Sequence, residues 1–159
     1  MLEKIRAALR KVMLQGLSAR QIALALALGL VIGCFPVLGT TTALCALAAW
    51  RFGANQLIIQ VGNYLAYPLY FALLIPQMKL GAWLFRVPHN MTVSGIKTAY
   101  AAGFLPLITL AGASLARAVV VWLLLAPIAA ALLFYAILPV IEAVLRRRQR
   151  ASPIDPSGK

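Results

Sequence analysis

An apolar tract interrupted at its middle constrains this chain more than any other feature. No charged residue occurs between Leu24 and Trp50, yet Gly33-Cys34-Phe35-Pro36-Val37-Leu38-Gly39 and then Thr40-Thr41-Thr42 break the run. Every backbone N–H and C=O in hydrocarbon needs a partner, so a helix breaks there only where protein or a wet cavity covers the break. Gly33, Pro36 and Gly39 therefore read as a helix break at membrane depth, shielded by neighbouring segments. Composition agrees, because 63% of the 159 residues are hydrophobic, against roughly 45–50% apolar content in a soluble domain.

Four uncharged tracts cover residues 21–50, 52–78, 98–116 and 118–141. Crossing about 30 Å of hydrocarbon takes roughly 20 helical residues. The first tract is too long for one straight span, and each of its halves is too short to span alone. It crosses as a tilted, broken helix or dips in and returns as a hairpin. The fourth is an ordinary span with a kink expected at Pro127. The expected fold class is thus an all-α integral membrane protein, with an N-terminal amphipathic helix and about four apolar helical tracts. The first tract is broken or re-entrant at its Gly/Pro cluster, and the third is a candidate for the same at Gly103 and Pro106.

Three regions are expected. Residues 1–17 form an amphipathic cytoplasmic or interfacial helix, with Leu2, Ile5, Leu9, Val12 and Met13 at helical spacing and Lys4, Arg6, Arg10 and Lys11 on the other face. Residues 18–145 form the membrane domain, whose first helix Ser18 is placed to cap. Residues 146–159 form a basic, disordered cytoplasmic tail. Val31-Ile32-Gly33-Cys34 resembles a lipoprotein processing signal, but a removable signal precedes a soluble body, and here apolar sequence continues.

Charge then bears on topology. The formal charge is +12, but the cations sit at the ends of apolar tracts, where they report orientation and contact with anionic lipid rather than nucleic acid. Both termini are basic and therefore cytoplasmic, so the number of crossings is even. With four crossings only Arg51 and Arg117 face outward. With the first and third tracts as hairpins, Lys79, Arg86, Lys97 and Arg117 all do. Charge bias favours four crossings and tract length favours the hairpin; four crossings is the expectation adopted. Arg51 and Arg117, each at the end of a tract, read as lipid-facing cations that snorkel to phosphates.

If a second half-helix starts near Thr40, the first N–H groups beyond it have no intrahelical partner and carry the positive end of the dipole. Thr40, Thr41 and Thr42 are therefore candidates for holding a phosphate, carboxylate or carbonyl; the plainer reading is that Thr40 caps the helix and its neighbours bond nearby backbone. Gln56, Gln60 and Asn63 share one helix face that could line a polar crevice opposite the threonines. The alternative for that face is ordinary interhelical hydrogen bonding. A weak echo links Gly33-Cys34-Phe35-Pro36-Val37-Leu38 with Gly103-Phe104-Leu105-Pro106-Leu107-Ile108, and such paired interruptions accompany sites between transporter repeats.

Catalysis has little to work with. Glu3, Glu142 and Asp155 are the only acids, all near the ends, so no carboxylate pair forms in the membrane and no enzymatic activity is expected. His89 has no ligating company, so no metal and no cofactor is expected. Cys34 and Cys45 are about 16 Å apart along a continuous helix, too far for a disulfide.

The run Ala23-Leu24-Ala25-Leu26-Ala27-Leu28-Gly29-Leu30-Val31-Ile32-Gly33-Cys34-Phe35-Pro36, then Gly39, Thr41 and Thr42, then Arg51, Asn55 and the Asn63 to Pro68 region, resembles the prokaryotic domain of unknown function 2062 family. The match is good over residues 18–85 and rests on hydropathy elsewhere. The resemblance implies a small bacterial inner-membrane protein, joined in some relatives to glycosyltransferase-like domains, and brings no established activity. Two functions of different class follow. One is binding or translocation of an anionic lipid head group or small anion at the broken helix. The other is a non-transporting accessory or scaffold subunit, for example in envelope glycosylation, packed through the small residues Gly29, Gly33, Gly39, Ala43 and Ala46. Membrane lipids, copies of itself or other membrane proteins are the expected partners.

Overall fold

A computed structural model describes residues 17–37, 39–88 and 92–151. All but the last residue of the expected amphipathic helix, the loop holding His89, and the tail beyond residue 151 lie outside the described residues. Six helices and no strand occur among the described residues: α1 (Ala19–Gly33), α2 (Thr41–Phe52), α3 (Gln56–Leu65), α4 (Tyr67–Leu84), α5 (Val93–Ala102) and α6 (Phe104–Ala151).

Helix α1 is the centre of the molecule. Its alternation of Ala and Leu supplies the two strongest helix formers, and Ser18 opens it with a full capping box: the Gln21 N–H donates to Ser18 Oγ at 3.3 Å while Gln21 Oε1 accepts from the Ser18 N–H at 2.9 Å. Eight of its 15 residues are buried. Only Arg20 and Gln21, in its first turn, are exposed. Where α3 crosses it, Gly29 and Gly62 meet: a Cβ on Gly62 would stand 2.8 Å from Leu26 O and 3.1 Å from Gly29 Cα. The backbones approach this closely only because neither position has a side chain.

The first tract folds back on itself. Leu24, near the start of α1, and Phe52, at the end of α2, line one groove, and Ile22 shares a buried cluster with Ala48 and Ala49. Two half-helices drawn out in line would separate those residues by about 40 Å. The expected crossing of this tract is therefore corrected to an antiparallel helical hairpin, turned by the residues between Gly33 and Thr41. The second tract also divides, since α3 and α4 meet at the buried Ala66 with a 63° bend. Pro68, in the first turn of α4, has no N–H with which to continue the ladder of α3.

The third and fourth tracts do not separate at Arg117. Helix α6 runs unbroken through Arg117, Pro127 and Pro139 to Ala151. The expectation of a turn there fails for a physical reason: Arg is a good helix former among Ala and Val, and a single charge does not end a helix. The four-crossing arrangement therefore loses its outward turn at Arg117, and residues 146–151, assigned to a disordered tail, continue the helix. Among the described residues one helix, Phe104–Arg147, is long and apolar enough to cross a membrane, or two if the bent pair α3 and α4 counts as one span. Only 11% of the most apolar window of that long helix is buried, which leaves Leu123, Leu124, Ile128 and Leu132 facing outward. Its Ile141 packs against the cluster of Ile22, Ala48 and Ala49, so α6 returns to the end of the bundle where α1 begins and α2 finishes.

Candidate functional site at the helix break

Residue Gly33 ends α1, and Thr41 starts α2. Pro36 between them is fully buried and Cys34 nearly so, whereas Gly39, with φ of 86°, and Thr40 are exposed. A helix that ends in the interior leaves carbonyls short of helical partners, and three side chains from distant elements bond carbonyls at the break. Trp122 of α6 donates through Nε1 to Val31 O at 3.0 Å; its ring also meets Phe35 edge-on, centroids 5.0 Å apart. Gln77 of α4 donates through Nε2 to Cys34 O at 3.2 Å. Tyr70 of α4 donates a long bond, 3.5 Å, to Pro36 O. The bend at Ala66 lays α4 across the tip of the hairpin, which brings both Tyr70 and Gln77 into reach.

The polar residues singled out from sequence are only partly brought together. Gln60 donates through Nε2 to Thr42 O at a long 3.4 Å, and Asn63, 2% exposed, donates through Nδ2 to Gln60 Oε1 at 3.2 Å. This chain of amides ties α3 to the first turn of α2. Gln56 is exposed one turn away. Thr40 does not cap α2: its hydroxyl donates to Val37 O at 2.9 Å, and its backbone is helical at φ −91°, ψ −17°. By contrast Ser18, Asn55 and Thr92 each accept a backbone N–H of the helix they precede. The start of α2 thus presents N–H groups that no side chain satisfies, beside exposed Thr42 and half-buried Thr41.

The second interruption is built differently. Gly103, φ 121°, is the single residue between α5 and α6, and Pro106 lies inside the first turn of α6. Helix α5 buries none of its residues. Arg51 is exposed, its guanidinium 5.8 Å from the centre of the Phe52 ring. Arg117 is half-buried where α4 crosses α6, and a Cβ on Gly81 would stand 2.9 Å from its Cβ. Gly29 and Gly33, assigned to a partner surface, are occupied within the chain: a Cβ on Gly33 would stand 2.8 Å from Asn63 O. Cys34 and Cys45 are buried free thiols.

Taken together, these features define a small helical protein with an apolar exterior and a broken-helix hairpin whose first arm and turn are packed in the interior. The chain belongs to the bacterial family described as "Uncharacterized protein conserved in bacteria", the domain of unknown function 2062, whose profile matches residues 2–150. No curated protein and no solved structure matches it.

The residues that sequence reasoning missed are those that satisfy the break. Trp122 sits in an apolar run where an indole reads as a belt residue, and its partner is 91 positions away. Gln77 and Tyr70 lie 43 and 34 positions from the carbonyls they meet. No periodicity within a single tract links these residues to the break, because each reaches it from another helix.

Proposed function

We propose that this protein resides in the bacterial inner membrane, with both termini cytoplasmic, and holds an anionic lipid head group or a small anion at the start of α2. The observation that carries the reading is the uncapped first turn of α2, whose threonine turns its hydroxyl back to Val37 O instead of capping the helix. Exposed N–H groups and the positive end of a helix dipole attract negative charge. Gln60 and Asn63 hold that turn against α3, and Thr41 and Thr42 supply hydroxyls beside it. The role is binding, and in its fuller form translocation, rather than catalysis; copies of the chain complete any path across the bilayer, since one hairpin does not enclose one.

The test installs an anion in the protein itself. Thr40→Asp puts a carboxylate beside the first turn of α2, where its charge competes with a bound anion for the positive end of the helix dipole. Protein in neutral detergent is titrated calorimetrically with short-chain phosphatidylglycerol, phosphatidylcholine and inorganic phosphate. The expected result is a preference for the anionic lipid that falls at least about tenfold in Thr40→Asp. Phosphate binding as tightly as phosphatidylglycerol identifies a small-anion site. Unchanged binding of both anions in Thr40→Asp overturns the reading.

A further inference from the structure

A second feature of the hairpin tip, independent of the start of α2, is a half-open cavity of about 260 Å³ between the end of α1, α4 and α6. Its walls are almost entirely apolar, and include Val31, Leu73, Trp122 and Ala129. At its rim Leu69, Leu80 and Leu125 are exposed, so in a bilayer the open side meets lipid chains. An unfilled apolar space forfeits the dispersion contacts of its lining, and hydrocarbon is the material at hand to fill it.

One lining residue is out of keeping with such walls. Gln77 uses Nε2 on Cys34 O, while its Oε1 is buried and has no hydrogen-bond partner. A buried acceptor left unpaired in apolar surroundings is a standing penalty that a donor removes. Oε1 is closed off by its neighbours, so a bound donor reaches it through a tilt of the amide about its soft terminal torsion, small enough to leave Nε2 on Cys34 O. We infer that this cavity binds a single apolar chain carrying a hydroxyl, as in a long-chain alcohol or a hydroxylated acyl chain, with the hydroxyl donating to Gln77 Oε1.

Trp122 lines the cavity, whereas Trp50 and Trp83 are exposed. The full chain carrying Trp50→Phe and Trp83→Phe therefore reports on the cavity through one indole. Decanol brominated at its far end and bromodecane of matched length are titrated in neutral detergent, bromine quenching Trp122 only at close range. The expected result is saturable quenching, with the alcohol bound about tenfold more tightly than the alkane, the factor that one hydrogen bond to an otherwise unpaired acceptor supplies. Gln77→Leu brings the alcohol down to the alkane, and Ala126→Leu with Ala129→Leu, which fills the cavity, abolishes saturation for both. Quenching that rises linearly without saturation, equal affinity for alcohol and alkane in the parent, or a tenfold preference kept by Gln77→Leu each overturns the inference. Should Gln77→Leu fail to fold, the ratio in the parent decides alone.

Discussion

The two interruptions look alike in sequence and differ in almost every physical respect. Between α1 and α2 the chain leaves the helix among packed neighbours, with Pro36 fully buried, and its carbonyls are met by Trp122, Gln77 and Tyr70. Between α5 and α6 it turns on the single residue Gly103, and the helix before it buries nothing. The same motif, glycine followed three residues later by proline, thus serves once as an interior feature that the fold is arranged to satisfy, and once as a simple corner. What separates them is not the local sequence but the supply of partners from elsewhere in the chain. A buried break demands them, and an exposed corner does not.

The largest test of that contrast is all or none. In the proposed membrane setting, a first break that turns a hairpin puts the start of α3 on the same side of the bilayer as the end of α6. With Cys34 and Cys45 replaced by Ala, Gln56→Cys and Arg147→Cys are expected to react with an impermeant maleimide from the same face of inverted or right-side-out vesicles. Labelling from opposite faces returns the first tract to a crossing helix. Next in size are paired glycine substitutions. Gly33→Ala drives a methyl into Asn63 O and Ala66, where α1, α3 and α4 are all fixed by packing; a loss of about 3 kcal/mol is expected, near the upper end for overpacking. Gly103→Ala meets nothing nearer than Pro106 Cδ at 3.9 Å, so only the positive φ opposes it. Because α5 buries none of its residues and so holds the strained torsion less firmly, about 1 kcal/mol is expected, the low end for such strain. Thermal unfolding in detergent measures both, and equal losses would dissolve the distinction between the two breaks.

How much of this was legible follows from the same distinction. Gly33, Pro36 and Gly39 mark the first break in the sequence because backbone chemistry is local: glycine and proline change the torsions and hydrogen bonds of their own positions. The direction of the chain after the break is not local. It depends on Gly29 against Gly62 and on Ile22 meeting Ala48 and Ala49, contacts that no window of sequence contains. Charge misled for a related reason. Arg117 was taken as the end of a tract because an apolar run stops there, yet helix propensity carries α6 straight through it. Of the candidate site, the i, i+4 and i+7 spacing correctly joined Gln60 to Asn63 on one face, and the structure links Gln60 to Thr42. The same spacing gave Gln56 equal standing, and that residue stays apart because it lies in the exposed first turn of α3.

The smallest predicted effect isolates one hydrogen bond at each interruption. Trp122 Nε1 reaches Val31 O at 3.0 Å from another helix, whereas Thr109 Oγ1 reaches Pro106 O at 2.9 Å within its own turn. Trp122→Phe keeps most of the ring and removes the donor. Val31 O also accepts from the Cys34 N–H at 3.1 Å, so it is not stranded, and the expected loss is about 1 kcal/mol, in line with interhelical bonds in membranes. Thr109→Val removes a bond of the same length on an exposed residue and is expected to change stability by less than about 0.5 kcal/mol. The two bonds are nearly equal in length, and the difference measured between them combines burial, the joining of two elements instead of one, and the ring volume that Trp122→Phe removes. A Trp122→Phe variant as stable as Thr109→Val would mean that the buried break holds its shape through packing and the local Cys34 turn, with the indole adding only its contact to Phe35.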